Sequence, residues 1–131
     1  MRTLKFRFWN TMAKKFQQPS KYAIDGDGHL VSYDYEMGEF SDAIKFENSC
    51  IIAQQFTGIK GVDGVEIYEG DIVKYVEDAD LHPNGYDQEV IWNEHSWYFR
   101  GDGLICEYVV DDVLFKSRVI GNILENPDLV S

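Results

Sequence analysis

Glu69-Gly70-Asp71-Ile72-Val73-Lys74, an acidic excursion, then Glu89-Val90-Ile91-Trp92 and Trp97-Tyr98-Phe99-Arg100 on either side of Asn93-Glu94-His95-Ser96: this stretch decides the fold. Gly70 gives a tight turn its backbone freedom, with Asp71 placed to cap exposed amides, and residues 71–76 continue as a strand. Residues 77–88 are acidic and include Pro83-Asn84-Gly85, which reads as a mobile excursion. Trp92 and Trp97 flank a four-residue loop symmetrically, which predicts a cross-strand aromatic pair. Gly101-Asp102-Gly103 turns into a strand over 104–110, and 111–116 fit one helical turn. A last strand over 118–124 stops at Glu125-Asn126-Pro127-Asp128.

Upstream, Leu4, Phe6 and Phe8 alternate with Lys5 and Arg7, the period-two pattern of a strand with one buried face. Residues 11–20 are polar and read as a loop. Tyr22-Ala23-Ile24 and the return from His29 to Tyr35 form a hairpin about Asp25-Gly26-Asp27-Gly28, because Asp-Gly pairs tolerate the positive φ such turns need. Residues 37–49 fit a short helix or an irregular strand. Residues 50–56 read as a buried strand, and the four glycines that follow break residues 57–70 into turns and short extended pieces.

Many short strands, closely spaced turns and no long amphipathic helix predict an all-β, mainly β chain. We expect two small packed β units, an N-terminal one over about 1–56 and a C-terminal one over about 57–131. The order turn, strand, excursion, Trp-flanked hairpin and closing strand predicts an SH3-like barrel for the second, with at most short helical turns.

A chain of 131 residues suits one domain, and its 8 Phe, 8 Tyr and 3 Trp supply large apolar areas to a modest core. No apolar run is long enough to span a bilayer, and the alternating charges at the N-terminus differ from those of an export signal. Cys50 and Cys106 lie far apart in apolar segments and read as buried free thiols in a reducing cytoplasm. The formal net charge is −11. Residues 1–21 hold six of the twelve basic side chains and no acidic one, so the rest carries six basic against 23 acidic residues, a net of −17. A body that negative disfavours binding to nucleic acid or to anionic membranes. The basic arm is expected to pair with acidic surface of its own subunit or of a neighbour, or to add an edge strand to a neighbour.

Asp25-Gly26-Asp27-Gly28, with Glu36 at the twelfth position, invites a calcium reading. Leu30 stands where a calcium loop needs glycine, so a hairpin turn is the better account. His29, His82 and His95 lack the spacing of a zinc site, and Ser32, Ser96 and Ser117 have no nucleophile motif around them. Tyr68-Glu69-Gly70-Asp71 places two carboxylates beside a phenol, which reads as a turn rather than an acid–base pair. No catalytic, cofactor or metal residue is assigned.

Three segments carry a family resemblance: Lys5-Phe6-Arg7-Phe8-Trp9-Asn10; Gln55-Phe56-Thr57-Gly58-Ile59-Lys60 with Asp63-Gly64-Val65-Glu66-Ile67-Tyr68-Glu69-Gly70-Asp71-Ile72-Val73; and Val119-Ile120-Gly121-Asn122-Ile123-Leu124-Glu125-Asn126-Pro127-Asp128-Leu129. In order and spacing the chain resembles the YopX family of phage- and prophage-encoded proteins from end to end. One departure is Phe8, where a small residue such as Ala is expected. The resemblance implies a phage or prophage origin and a bacterial cytoplasm, and carries over no catalytic residue or biochemical activity.

The resulting expectation is a non-enzymatic interaction or assembly module whose partner is a host or phage protein, self-association included. Arg2, Lys5, Arg7, Trp9, Trp92 and Trp97 are its candidate interaction residues. The alternative is an acidic DNA mimic or a weak nucleic-acid-associated regulator.

Overall fold

The computed structural model describes residues 3–75, 88–93, 96–101, 104–105 and 117–130. The chain is mainly β, as its periodicities predict. Its strands are β1 (Phe6–Asn10), β2 (Lys15–Phe16), β3 (Tyr22–Ile24), β4 (Leu30–Asp34), β5 (Glu39–Phe40), β6 (Ile51–Lys60), β7 (Glu66–Tyr68), β8 (Asp71–Tyr75), β9 (Gln88–Asn93), β10 (Ser96–Gly101), β11 (Leu104–Ile105) and β12 (Ser117–Asn122). Three single-turn 3-10 helices, Pro19–Lys21, Phe46–Asn48 and Pro127–Val130, complete the described elements. The excursion, the helical turn expected over 111–116, and Cys106 all lie outside the described residues.

Two compact units divide the chain. One is continuous, Phe6–Gln54; the other joins the N-terminal residues through Lys5 to Gln55–Ser131. In the continuous unit, β3, β4 and β5 form a three-stranded antiparallel sheet. Tyr22 pairs with Ser32 and Ile24 with Leu30 across the hairpin expected at Asp25-Gly26-Asp27-Gly28. Its turn is closed by the Asp25 carboxylate, whose Oδ1 accepts from Asp27 N–H (3.0 Å) and His29 N–H (2.9 Å), with Gly28 at φ +81°. Phe8, Leu30 and Ile51 form the buried core, and Phe6, Tyr22, Ile24, Phe46 and the free thiol of Cys50 pack against it. Each large side chain so buried contributes about 1.5–3 kcal/mol.

Residues 11–20, read as a loop, contain a strand. β2 pairs with β1 in the register Trp9↔Phe16 and Asn10↔Lys15. The reason is local: Asn10 Oδ1 accepts from both Met12 N–H and Ala13 N–H (2.9 Å each), and Lys14 takes the left-handed conformation at φ +55°. An asparagine that satisfies two turn amides substitutes for the Asn-Gly signal usually sought. β6 also extends beyond its expected end, through a register shift between Phe56 and Lys60 that Gly58 allows at φ +90°.

In the discontinuous unit the strands run β11-β10-β9-β8-β12 in one antiparallel sheet. Ile59, Ile67, Val73, Val90 and Trp97 are its core, with Val119 packed against them. Asn93 pairs directly with Ser96, so the Trp-flanked hairpin has a two-residue loop rather than the four residues expected. Among the described residues no pairing joins the sheet's two edges, β11 and β12, so these strands do not specify the barrel type expected from sequence.

The Tyr68-Glu69-Gly70-Asp71 turn sits at the centre of this unit. Gly70 has φ +84°. Asp71, 2% exposed, accepts Tyr68 N–H at Oδ2 (2.7 Å). Gly70 N–H donates to Val90 O (2.7 Å), and Gly70 O accepts Ile123 N–H (2.7 Å). Elsewhere, Gly61 lies so close to β12 that a Cβ would sit 2.5 Å from Ser117 O, while the neighbouring Val62 N–H donates to that same oxygen (2.9 Å).

Two expectations follow from these turns. Asp71→Ala removes the carboxylate that accepts the part-buried Tyr68 amide and lowers stability by about 1–3 kcal/mol, measured by urea unfolding, with Asp71→Asn less damaging. The backbone donors hold the Asp25 carboxyl below its ordinary value. Its contribution is therefore present above the ordinary carboxylate range and disappears as pH falls through the depressed folded value. Asp25→Asn keeps an acceptor but no titration, so its acid-unfolding limb should be shallower than that of the wild type.

Candidate interaction surface

β4 is an alternating strand. Leu30 and Ser32 face one way, and Leu30 reaches the core; Val31 and Tyr33 face the other. Tyr33 stands opposite Phe40 of β5, and their rings meet edge-on at 5.1 Å. Tyr35, two residues after Tyr33, brings its ring to 4.9 Å of it, also edge-on. Ser20 Oγ and the Tyr35 hydroxyl share a 2.6 Å hydrogen bond that fixes the outer ring. Three aromatic rings thus share the face that points away from the core.

The connecting turn makes that face stand out. Asp34 Oδ1 accepts from Glu36 N–H (2.9 Å) and Met37 N–H (3.2 Å), Gly38 N–H returns to Asp34 O (2.7 Å), and Gly38 takes φ +69°. Met37, 69% exposed, is carried on this turn, and Tyr35 and Phe40 remain 58% and 59% exposed. Together they line an open cavity of about 600 Å³. Asp34, Glu36 and Glu39 supply carboxylates at its rim, and Lys21 a single ammonium. A groove of apolar walls with charged margins can hold a side chain or a loop of another molecule.

The residues singled out from sequence are placed differently. Arg2 lies outside the described residues. Lys5 donates to Glu66 Oε2 (2.7 Å) and lies 5.7 Å from the centre of the Phe56 ring. The Glu66 hydrogen bond raises its pKa above the ordinary lysine value. Arg7 donates through Nε to Gln54 Oε1 (2.9 Å) and stacks 4.6 Å from the centre of Phe16. Trp9 is buried with its ring edge-on to Phe16 at 5.0 Å. β1 is flanked by β2 and β6, so it is not the free edge that strand addition to a neighbour requires.

Trp92 and Trp97 form the expected cross-strand pair, in register and edge-on at 4.9 Å. Only Trp92 reaches solvent, at 43% exposed; Trp97 is core. Arg100, beside this pair on β10, holds the buried Glu89 carboxylate through Nη2 at 2.9 Å. Of the described candidates, Trp92 alone presents a broad ring to water, while Lys5, Arg7, Trp9 and Trp97 are engaged in holding the fold.

Tyr33, Tyr35, Met37 and Phe40 were absent from the sequence-based set. Their signal is present: in Tyr33-Asp34-Tyr35-Glu36-Met37-Gly38-Glu39-Phe40 nearly every large apolar residue has a carboxylate beside it, a pattern that keeps an apolar face soluble without burying it. Among the described residues, no group of three or more His, Cys, Asp or Glu side chains gathers as a metal ion would require. No helix among them is long and apolar enough to cross a membrane.

A family model described as YopX protein matches residues 5–131. No curated protein matches the chain. Two solved structures share its fold over the whole of both chains. Protein EF1440 from Enterococcus faecalis is 23% identical with a TM-score of 0.67, and protein yopX from Bacillus subtilis is 18% identical with a TM-score of 0.62.

The two tryptophans separate folding from surface. Trp97→Ala should lower stability by about 3–5 kcal/mol through cavity formation, and Trp92→Ala by about 1 kcal/mol through the lost ring contact. Thermal or urea unfolding of the two variants checks the ordering.

Proposed function

The chain belongs to the YopX family, and on that premise we propose that it is a non-enzymatic protein-interaction or assembly module. In this reading it is of bacteriophage or prophage origin and works in the cytoplasm of a bacterial host. The observation that supports the reading is the β4–β5 hairpin, where Tyr35, Met37 and Phe40 stay exposed beside Tyr33. Exposed apolar area lowers solubility unless something covers it, so a contiguous patch of this kind suits a contact surface. Aromatic and methionine side chains are the types enriched at the centres of protein interfaces, since each buries a large area with few rotatable bonds.

The surface charge fits a protein ligand better than a nucleic acid. Nucleic-acid backbones carry one negative charge per phosphate, and a chain of net charge −11 repels them. Partner choice then rests with the carboxylates at the groove margin.

Affinity capture from infected or lysogenic cells tests this, with the full chain compared against Tyr35→Ser/Met37→Ser/Phe40→Ser. All three positions are exposed, so the variant should still fold, losing about 1 kcal/mol for each ring contact with Tyr33 that Tyr35 and Phe40 give up. A protein retained by the wild type, lost with the variant and rebound when both components are purified is the expected result. Equal recovery on the two baits would sink the assignment of this surface.

A further inference from the structure

We propose that the occupant of the β4–β5 groove is the β1–β2 hairpin tip of a second copy of this chain. The inference rests on the hairpin being an interaction surface, and it adds the identity of what covers it. Both halves of the contact are on the same 6–54 unit. The tip, Thr11-Met12-Ala13-Lys14-Lys15, carries the most exposed large apolar side chain among the described residues, Met12 at 83%. Lys14 and Lys15 flank it, both exposed, and neither forms an ion pair among the described residues.

The groove is its chemical complement. Rings of Tyr33, Tyr35 and Phe40 offer walls for a thioether and π faces for an ammonium group. Asp34, Glu36 and Glu39 set three negative charges against the one positive charge of Lys21, and the incoming tip brings two more ammonium groups. Glu36 and Glu39 have no cationic partner among the described residues.

Shape is set in advance on both sides. Asn10 Oδ1 holds the amides of Met12 and Ala13, and Lys14 N–H donates to Asn10 O (2.8 Å), so the tip is a closed turn. Asp34 Oδ1 closes the opposing turn through Glu36 and Met37 in the same manner. Two preformed turns lose little freedom when they meet, which favours association through a small area. In a two-fold pair the contact occurs twice, tip into groove and groove onto tip; in a ring it occurs once per joint.

Charge exchange tests the contact on the full chain, read by analytical ultracentrifugation up to about 100 µM, a concentration that reveals weak association. Wild type should self-associate, and should do so less as salt screens the pair. Lys14→Glu/Lys15→Glu and Glu36→Lys/Glu39→Lys should each weaken self-association by at least tenfold, roughly the effect of setting like charges together. An equimolar mixture of the two variants should associate again, because one still has the acidic groove and the other the basic tip. The four-substitution chain should regain self-association within about threefold of wild type, since its charges are exchanged in full. Should either reversed chain unfold, Lys14→Gln/Lys15→Gln and Glu36→Gln/Glu39→Gln replace it and should each weaken association. A wild type that stays monomeric, or reversals that leave association unchanged, or a mixture that stays apart, overturns the proposal. If the wild type is monomeric yet the groove variant still loses a different protein in the capture experiment, the second-copy occupant is wrong and the interaction surface stands.

Discussion

The discontinuous unit depends on the backbone of one residue, Gly70. Gly70 N–H reaches Val90 on β9, its carbonyl receives Ile123 just beyond β12, and the neighbouring Asp71 carboxylate takes the Tyr68 amide at the end of β7. A residue with a Cβ resists φ +84°, so glycine is what lets the backbone here bond to both segments. Asp71 is buried at 2% exposed, and a buried carboxylate is tolerated only where donors meet it. Ile67 and Ile72, on either side of the turn in sequence, and Val90, whose carbonyl accepts Gly70 N–H, each have no exposed surface. Polar closure and apolar packing thus occupy the same few residues.

The continuous unit is built around turns closed by side chains. Asn10, Asp25 and Asp34 each present one oxygen to two backbone amides. Such turns need no apolar burial of their own, so the loops they shape can project aromatic and methionine side chains into water. The −11 net charge offsets the tendency of those side chains to draw molecules together without discrimination.

Several of these features were readable from residue order. Alternation and Asp-Gly pairs located the β3–β4 hairpin, because both signals are local. Trp92 and Trp97 announced their own pairing by symmetry about a loop. Gly70 followed by a strand gave the central turn for the same reason. β2 was missed because its evidence is a contact across the hairpin, Trp9 with Phe16, together with an asparagine turn that has no glycine. Basic and tryptophan side chains are conspicuous in a string, and of those singled out Lys5 and Arg7 are tied to Glu66 and Gln54, while Trp9 and Trp97 are buried. What remains outward lies partly in the returning strand, with Tyr33 and Tyr35, and partly in residues 37–49, whose period fitted a short helix as well as an irregular strand. Exposure is a three-dimensional property, and its trace in the string was only the carboxylates between the rings.

The chain leaves the discontinuous unit after Lys5 and re-enters it at Gln55, and there Phe56 N–H donates to Lys5 O over 2.8 Å. Residues 6–54 thus form a loop whose two ends are held together at its base, and the entropy cost of closing such a loop grows only slowly with its length.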